Sequence, residues 1–307
     1  MKVIEPIEVD ESVLLSSTAK SDDTSSYDPD KTYAKGEVVQ LDERRYESLV
    51  DENDDDPPES TLAEVGPEEA TWLDLGATNK WAPFDGVIAS ESVGDGDLVL
   101  EIDPPSAITA VACFNLSGAD LEVEIQEGSD DDGWTSVWER QERLIDNTDV
   151  HDAWTYAYLP IERKSDVVFT DLPTLITGAK IVIRVKTSEG DARAGQIVLG
   201  RQVELGAAVY GTQASIDDWS VVERDEYGNA TLRRRRYSNR VRFEVSLETG
   251  HVQRVRRRLA QYRATPVVYI GAESNPETII YGFYRDFAIT LSNSALSQAD
   301  IEVEGLT

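Results

Sequence analysis

Hydrophobic and polar residues alternate along much of the chain with a period of two, the spacing that sends successive side chains to opposite faces of a strand. Leu121, Val123 and Ile125 alternate with acids, Ile181, Ile183 and Val185 alternate with Val182, Arg184 and Lys186, and Ile301-Glu302-Val303-Glu304 repeats the pattern near the last residue. Asp97–Ile102 reads as a further strand, and Ile108–Leu116 as a nearly continuous apolar one. Trp154, Tyr156 and Tyr158 alternate with Thr155 and Ala157 and are predicted to be a strand as well. Turn residues separate these runs at Gly94-Asp95-Gly96, Ser129–Gly133 and Ser188–Asp191. Short strands punctuated in this way predict an antiparallel sandwich or barrel. One segment breaks the pattern. GHVQRVRRRLAQYR, residues 250–263, places Val252, Val255, Leu259 and Tyr262 on one helical face with Arg254 and Arg257 opposite. Around that helix, Val267–Ile270 and Ile279–Leu291 are strand-like, and a turn at Asp225–Asn229 joins Trp219–Glu223 to Thr231–Tyr237 as a hairpin.

The first residues predict an edge strand, because Ile7 and Val9 alternate with acids and Pro6 suits an edge better than a sheet centre. Ser16-Ser17-Thr18 and Ser21–Ser26 read as linker. Beyond it, Glu37–Leu41 and Arg45–Val50 are strands about an Asp42-Glu43 turn, with a second turn at Lys35-Gly36 and a loop from Asp51 to Ser60. The expectation is an all-β, multidomain chain. Residues 1–26 form an N-terminal strand and linker, 27–80 a small β module, 81–205 a β-sandwich, and 206–307 a β-rich assembly domain with one helix at about 250–263.

Charge narrows the partners. The chain carries 59 acids against 29 bases, a formal net charge of -30, which opposes non-specific binding to nucleic acid or anionic membranes. Such acidity fits an ordinary acidic protein, or one adapted to a saline host where salt screens self-repulsion. No apolar run approaches the roughly 20 residues of a membrane span, and the first residues lack the apolar core of a secretory signal. Cytosolic production without membrane insertion is expected. A single cysteine, Cys113, excludes an intrachain disulfide, and its apolar surroundings predict a buried inert thiol.

Catalytic and metal signatures are weak. The nucleophile elbow, P-loop, HExxH and GxGxxG motifs are missing, and His151 and His251 lack metal-ligand spacing. Asp51, Asn53 and Asp55 open like a calcium loop, but Asp56 stands where glycine is needed and Leu62 where a bidentate Glu is needed. Asp130–Gly133 and Asp95-Gly96-Asp97 are equally short of ligands. The prediction is a non-enzyme with no metal and no cofactor. A cell-wall glycan hydrolase is the distant alternative; paired carboxylates arise everywhere in so acidic a chain, so their presence carries no weight for it.

Two sets of residues are candidates for contact. Tyr27, Tyr33, Tyr46 and Trp72 are rings in a polar segment: either a glycan-binding face or the core of a module too small for an aliphatic one. Arg233–Arg236, Arg240 and Arg242, with the helix residues Arg254, Arg256, Arg257 and Arg258, make a basic stretch in an acidic chain. An assembly contact with an acidic surface, plain solvated charge and nucleic-acid binding are the three readings, and the net charge counts against the last.

The spacing Tyr27-x5-Tyr33-x2-Gly36-x2-Val39, followed by Tyr46, Asn53, Pro58 and Trp72, resembles the chitin-binding type of carbohydrate-binding module, with Tyr27 in place of that type's initial Trp. A longer resemblance runs from IEPIEV and LLSST through WLDLGATNKWAPFD, VVFTDLP, VELGAAVYGTQASIDDWS, YRATPVVYIG and YGFYRDF to IEVEGLT. In that order these segments look like a family of structural proteins of tailed viruses. The resemblance implies a virion component at the tail tip or baseplate, assembled in the host cytoplasm with other tail proteins in symmetric copies as a homo-oligomer or ring. It leaves open contact with host surface glycans, or a purely structural adaptor or fibre-anchoring role.

Overall fold

The computed structural model describes residues 1–129, 133–174, 178–209, 211–224, 226–273, 275–291 and 294–306. The predicted turn acids Asp130, Asp131, Asp132 and Asp225 lie outside the described residues. The chain is an all-β, multidomain protein with few helices.

In chain order, β1 (Lys2–Pro6) and β2 (Leu14–Ser17) precede the small module, which holds β3 (Ser25–Ser26), β4 (Val38–Leu41), β5 (Arg44–Ser48), the short α1 (Leu62–Val65) and β6 (Trp72–Ala77). The middle of the chain contributes β7 (Ser92–Val93), β8 (Leu98–Ile102), β9 (Ala110–Phe114), β10 (Asp120–Ser129), β11 (Gly133–Arg143), α2 (Ala153–Tyr158), β12 (Val167–Phe169), β13 (Ala179–Lys186), β14 (Arg193–Ala194) and β15 (Gln196–Glu204). The last part runs through β16 (Ala207–Ala208), β17 (Gln213–Asp218), β18 (Val221–Arg224), β19 (Ala230–Arg233), β20 (Tyr237–Glu248), α3 (Val252–Gln261), β21 (Val267–Ile270), β22 (Ile279–Thr290) and β23 (Leu296–Gly305).

Among the described residues, β11-β10-β13-β8-β2 form one antiparallel sheet. Its inner positions Leu98, Leu100, Ile102, Leu121, Val123, Ile125, Ile181 and Ile183 are buried. They pack against Val111, Cys113, Val167, Phe169, Ile197 and Leu199 of the facing sheet, which makes the predicted sandwich. The outer face carries the polar half of the same alternation. Arg184 donates to Glu122 and Glu124 at 2.6 Å each, and Lys186 pairs with Glu122. Cys113 is fully buried, and burial pushes its thiol up to about 12.

The facing sheet continues past the sandwich in the order β12-β9-β15-β1-β21-β22-β23-β20, with β16 and β17 both pairing with β20. Strand β1 is therefore not the edge strand expected from Pro6, Ile7 and Val9, and it ends at Pro6, ahead of the two alternating residues. It is hydrogen-bonded on both sides, Lys2–Pro6 along β15 and Lys2–Ile4 along β21. The proline is tolerated because β21 pairs only as far as Ile4, so the residue that cannot donate lies beyond that partner. Val3 and Ile4 are both completely buried, each on its own face of the sheet. Gly200 faces Pro6, and a Cβ there would come 1.8 Å from the Glu5 carbonyl oxygen, so this close approach of backbones requires glycine.

One face of the far half is covered by α3 and the residue that caps it: Val255, Leu259 and Tyr262 pack on Val241, Phe243, Val245, Ile301 and Val303. The helix predicted at 250–263 is found as a ten-residue α-helix after a short 3-10 turn, Thr249–His251. Twist accumulated over so many strands curls the sheet. Asp166, just ahead of β12, and Tyr237 and Asn239 in β20 line one cleft of about 230 Å³, although β12 and β20 lie far apart in strand order.

The segment 154–158, predicted as a strand, is the helix α2. The Asp152 carboxylate accepts from the Thr155 backbone N–H at 2.7 Å, and the Thr155 hydroxyl accepts from the Asp152 N–H at 2.9 Å. This reciprocal cap starts a helical turn. Residues spaced two apart then include an i, i+4 pair, and the Trp154 and Tyr158 rings meet at 5.1 Å.

Candidate functional site

In the small module, β3 pairs parallel with β4, and β4, β5 and β6 form an antiparallel meander. The β4–β5 turn lies where Asp42-Glu43 was expected, with Asp42 at φ 53°. Tyr33, Val39, Tyr46 and Trp72 are the buried core of this module, and Tyr27 and Leu41 close it from the side. Tyr33 and Trp72 meet edge to face at 5.4 Å, and Tyr27 stacks on Tyr33 at 5.6 Å. Trp72 Nε1 donates to the Asp55 carbonyl at 2.8 Å. The Tyr27 hydroxyl donates to the Asp56 carboxylate at 3.0 Å; burial first, and then this bond, push its pKa up to about 12.

The sequence placed Tyr27, Tyr33, Tyr46 and Trp72 as candidate glycan contacts. For Tyr33 and Trp72 the geometry corrects that assignment: the two rings pack on each other and have almost no exposed surface, while Tyr46 is buried in the same core with its edge lining a cleft beside Leu41, Arg44 and Pro58. The module is too short to bury itself with aliphatic side chains, so its largest apolar groups form its core. Asn53 is part of the same construction. Its amide donates to Ser48 Oγ and the Thr71 carbonyl at 3.0 Å each, and its Oδ1 accepts from Asp55 N–H at 3.2 Å. The amide is thus turned inward, away from any cation the loop acids could gather. Asn79 knots the module to its neighbours, donating to the Lys20 and Val93 carbonyls and accepting from the Val93 N–H. Trp81, buried against Phe84, belongs to the sandwich core.

Of the four helix arginines assigned to an assembly contact, Arg254, Arg256 and Arg257 are exposed. Arg258 is instead engaged within the chain. It pairs with Glu5, which also accepts from the Tyr262 hydroxyl at 2.6 Å and pairs with Arg201 at 3.1 Å. Burial pushes the Glu5 carboxyl up, but the bonds from Tyr262, Arg201 and Arg258 outweigh it and hold the group below its ordinary 4.5. A carboxyl held low in the folded state adds stability that is complete above its ordinary value and is lost as pH falls through the lowered one. Glu5→Gln is therefore expected to cost about 1–2 kcal/mol at pH 7, with the difference from wild type shrinking in acid. Urea unfolding midpoints of both proteins at pH 7 and pH 3.5 check this; an unchanged difference between the two pH values contradicts it.

Two exposed apolar surfaces were not singled out from the sequence. The first is the segment around α2, where Trp154, Tyr156, Tyr158 and Ile161 are 65–77% exposed. Its base is closed by a bridge between Asp146 and Glu162. The second is an arm built from β18 and β19, paired from Val221↔Arg233 to Arg224↔Ala230 as the predicted hairpin. β23 runs along β20 only as far as Arg240, and among the described residues β18 and β19 form a two-stranded sheet of their own. It exposes Trp219, Val222 and Leu232. The signal in the sequence was the density of apolar residues in segments that no neighbouring strand could cover, which requires knowing the strand order. Among the described residues no group of three or more His, Cys, Asp or Glu is arranged to hold a metal ion.

No protein-family model matches the chain, and no curated protein matches it. Among solved structures it is similar to one titled "CpGH89CBM32-6 produced by Clostridium perfringens", at 15% identity and a TM-score of 0.23, over 38% of this chain and 79% of that one. A likeness at that level assigns neither a family nor a function.

Proposed function

We propose that this chain is a structural subunit of a tailed virus particle, an adaptor at the tail tip or baseplate that joins neighbouring tail proteins. The observation that carries the reading is the distribution of apolar surface. The module turns its rings inward, whereas the α2 segment and the β18–β19 arm hold aromatic and aliphatic side chains in the open. Single exposed apolar residues are ordinary, but groups of them on projecting segments mark contact sites. The class of particle comes from the ordered resemblance along the sequence. Antibodies against the whole chain are expected to label purified tailed particles at the end of the tail. Label confined to the soluble extract, with none on particles, removes the reading.

Contact with host glycans is the second reading, favoured by the exposed rings of α2. Trp154 and Tyr158 offer large rigid faces at low conformational cost, as binding surfaces do. The full chain should then be retained on host envelope polysaccharide, and Trp154→Ala with Tyr158→Ala should weaken retention at least about tenfold. Equal retention of the variant rejects this site.

A further inference from the structure

We propose that copies of this chain associate head to tail, the basic arm of one copy seating on the acidic face of the small module of the next. From Ala230 to Phe243 the chain has six arginines and no acid. Arg240 and Arg242 pair inside the sheet with Asp217, Glu302 and Asp300. Arg233, Arg234, Arg235 and Arg236 are all exposed, and among the described residues none of them enters an ion pair.

The opposite charge lies in the module. Residues 46–79 contain eleven acids and neither lysine nor arginine. Asp51, Glu52, Asp54, Asp55, Asp56 and Glu59 are exposed on one loop, and among the described residues no basic side chain pairs with them. Among those residues no salt bridge joins this face to the arm. Within one copy Asp218 lies close enough to Arg234 for the guanidinium to help hold its carboxyl low, but among the described residues no salt bridge engages either patch.

Two-stranded hairpins are marginal alone in water. This arm projects past β23 while exposing Val222 and Leu232, so a partner that covers it stabilises both strands and side chains. A second copy fits by charge. Arginine forks pair well with carboxylates, and the required acidic surface is present on the chain itself. Nucleic acid fits poorly against a net charge of -30. At about 0.15 M salt the Debye length is about 8 Å, so two patches in contact outweigh the repulsion of distant acids. The contact joins different surfaces on the two copies. Such a heterologous contact builds a ring if its rotation closes and a filament if it does not. The inference extends the adaptor reading by naming the partner, but it stands on the two charged patches and the uncovered arm: self-association can fail while particles still carry the chain, and particles can lack the chain while it self-associates.

The test is sedimentation of the full chain at about 0.15 M salt, with circular dichroism to confirm folding of every variant. Wild type is expected to sediment as species larger than the monomer. Changing Arg233, Arg234, Arg235 and Arg236 to Glu should weaken association at least about tenfold, and so should changing Asp51, Asp54, Asp55 and Asp56 to Lys. Mixing the two folded variants should restore the larger species, because each reversed patch then meets its new complement. A wild type that stays monomeric overturns the proposal. So does an arm variant that associates as wild type does, or a mixture of folded variants that stays monomeric.

Discussion

Replacing Trp72 by alanine is expected to unfold the small module while leaving the sandwich and the C-terminal sheet folded. Trp72 has no exposed surface, packs edge-on to Tyr27 and Tyr33, and ties the acidic loop down through its bond to Asp55. Its removal takes away the largest ring of a core formed by Tyr33, Val39, Tyr46 and Trp72. Truncating a buried Trp costs about 3–5 kcal/mol, and a domain this small has a net stability of similar size. Limited proteolysis should therefore cut within 27–77 in the variant and spare the rest, with most strand signal retained in far-ultraviolet circular dichroism. The same experiment bears on function. If Trp72 were a ligand contact on a free face, the variant would keep its protease resistance; a resistant variant contradicts the core assignment.

The second large effect is expected at Ile4. Its side chain is completely buried among Ala110, Ala112, Val198, Val268 and Ile270, on the strand that joins the two halves of the long sheet. Ile4→Asp places a carboxylate there without a partner, at a cost on the order of 4 kcal/mol or more. The damage should exceed that of an ordinary core substitution in kind as well as size. With β1 displaced, β15 and β21 each lose a hydrogen-bonding neighbour, and the sandwich loses its continuity with the sheet that carries α3. Urea unfolding should change from one cooperative transition to two, or the C-terminal part should become protease-sensitive first. The exposed Glu8→Gln should shift stability by no more than about 0.5 kcal/mol. A single unshifted transition for Ile4→Asp contradicts the bridging role of β1.

Much of the architecture was legible wherever the determinant is local. The helix at α3 followed from Val252, Val255, Leu259 and Tyr262 at helical spacing; the last three are buried against the sheet, while Val252, at the helix start, is half-buried. The β4–β5 turn and the β18–β19 hairpin followed from turn residues between apolar runs. The alternation of Leu121, Val123 and Ile125 with acids predicted the strand whose apolar side is the inner face of the sandwich; the pairing of those acids with Arg184 on the outside came only with the strand order. The α2 segment shows where a local pattern is ambiguous. Trp154, Tyr156 and Tyr158 satisfy a period of two, but Trp154 and Tyr158 also satisfy i, i+4, and the deciding feature was the cap between Asp152 and Thr155.

The rings of the small module divide the two kinds of information most clearly. The sequence by itself determined that Tyr27, Tyr33, Tyr46 and Trp72 belong to one compact β unit, that the chain is all-β, and that its charge is strongly acidic with a separate basic stretch. These depend on composition and near-neighbour periodicity. Only the tertiary structure decided that Tyr33, Tyr46 and Trp72 face inward, that β1 lies in the middle of a sheet, and that α2 and the β18–β19 arm stand uncovered. Burial and exposure are set by which distant strands arrive as neighbours, and a side chain's own residue type carries no record of that.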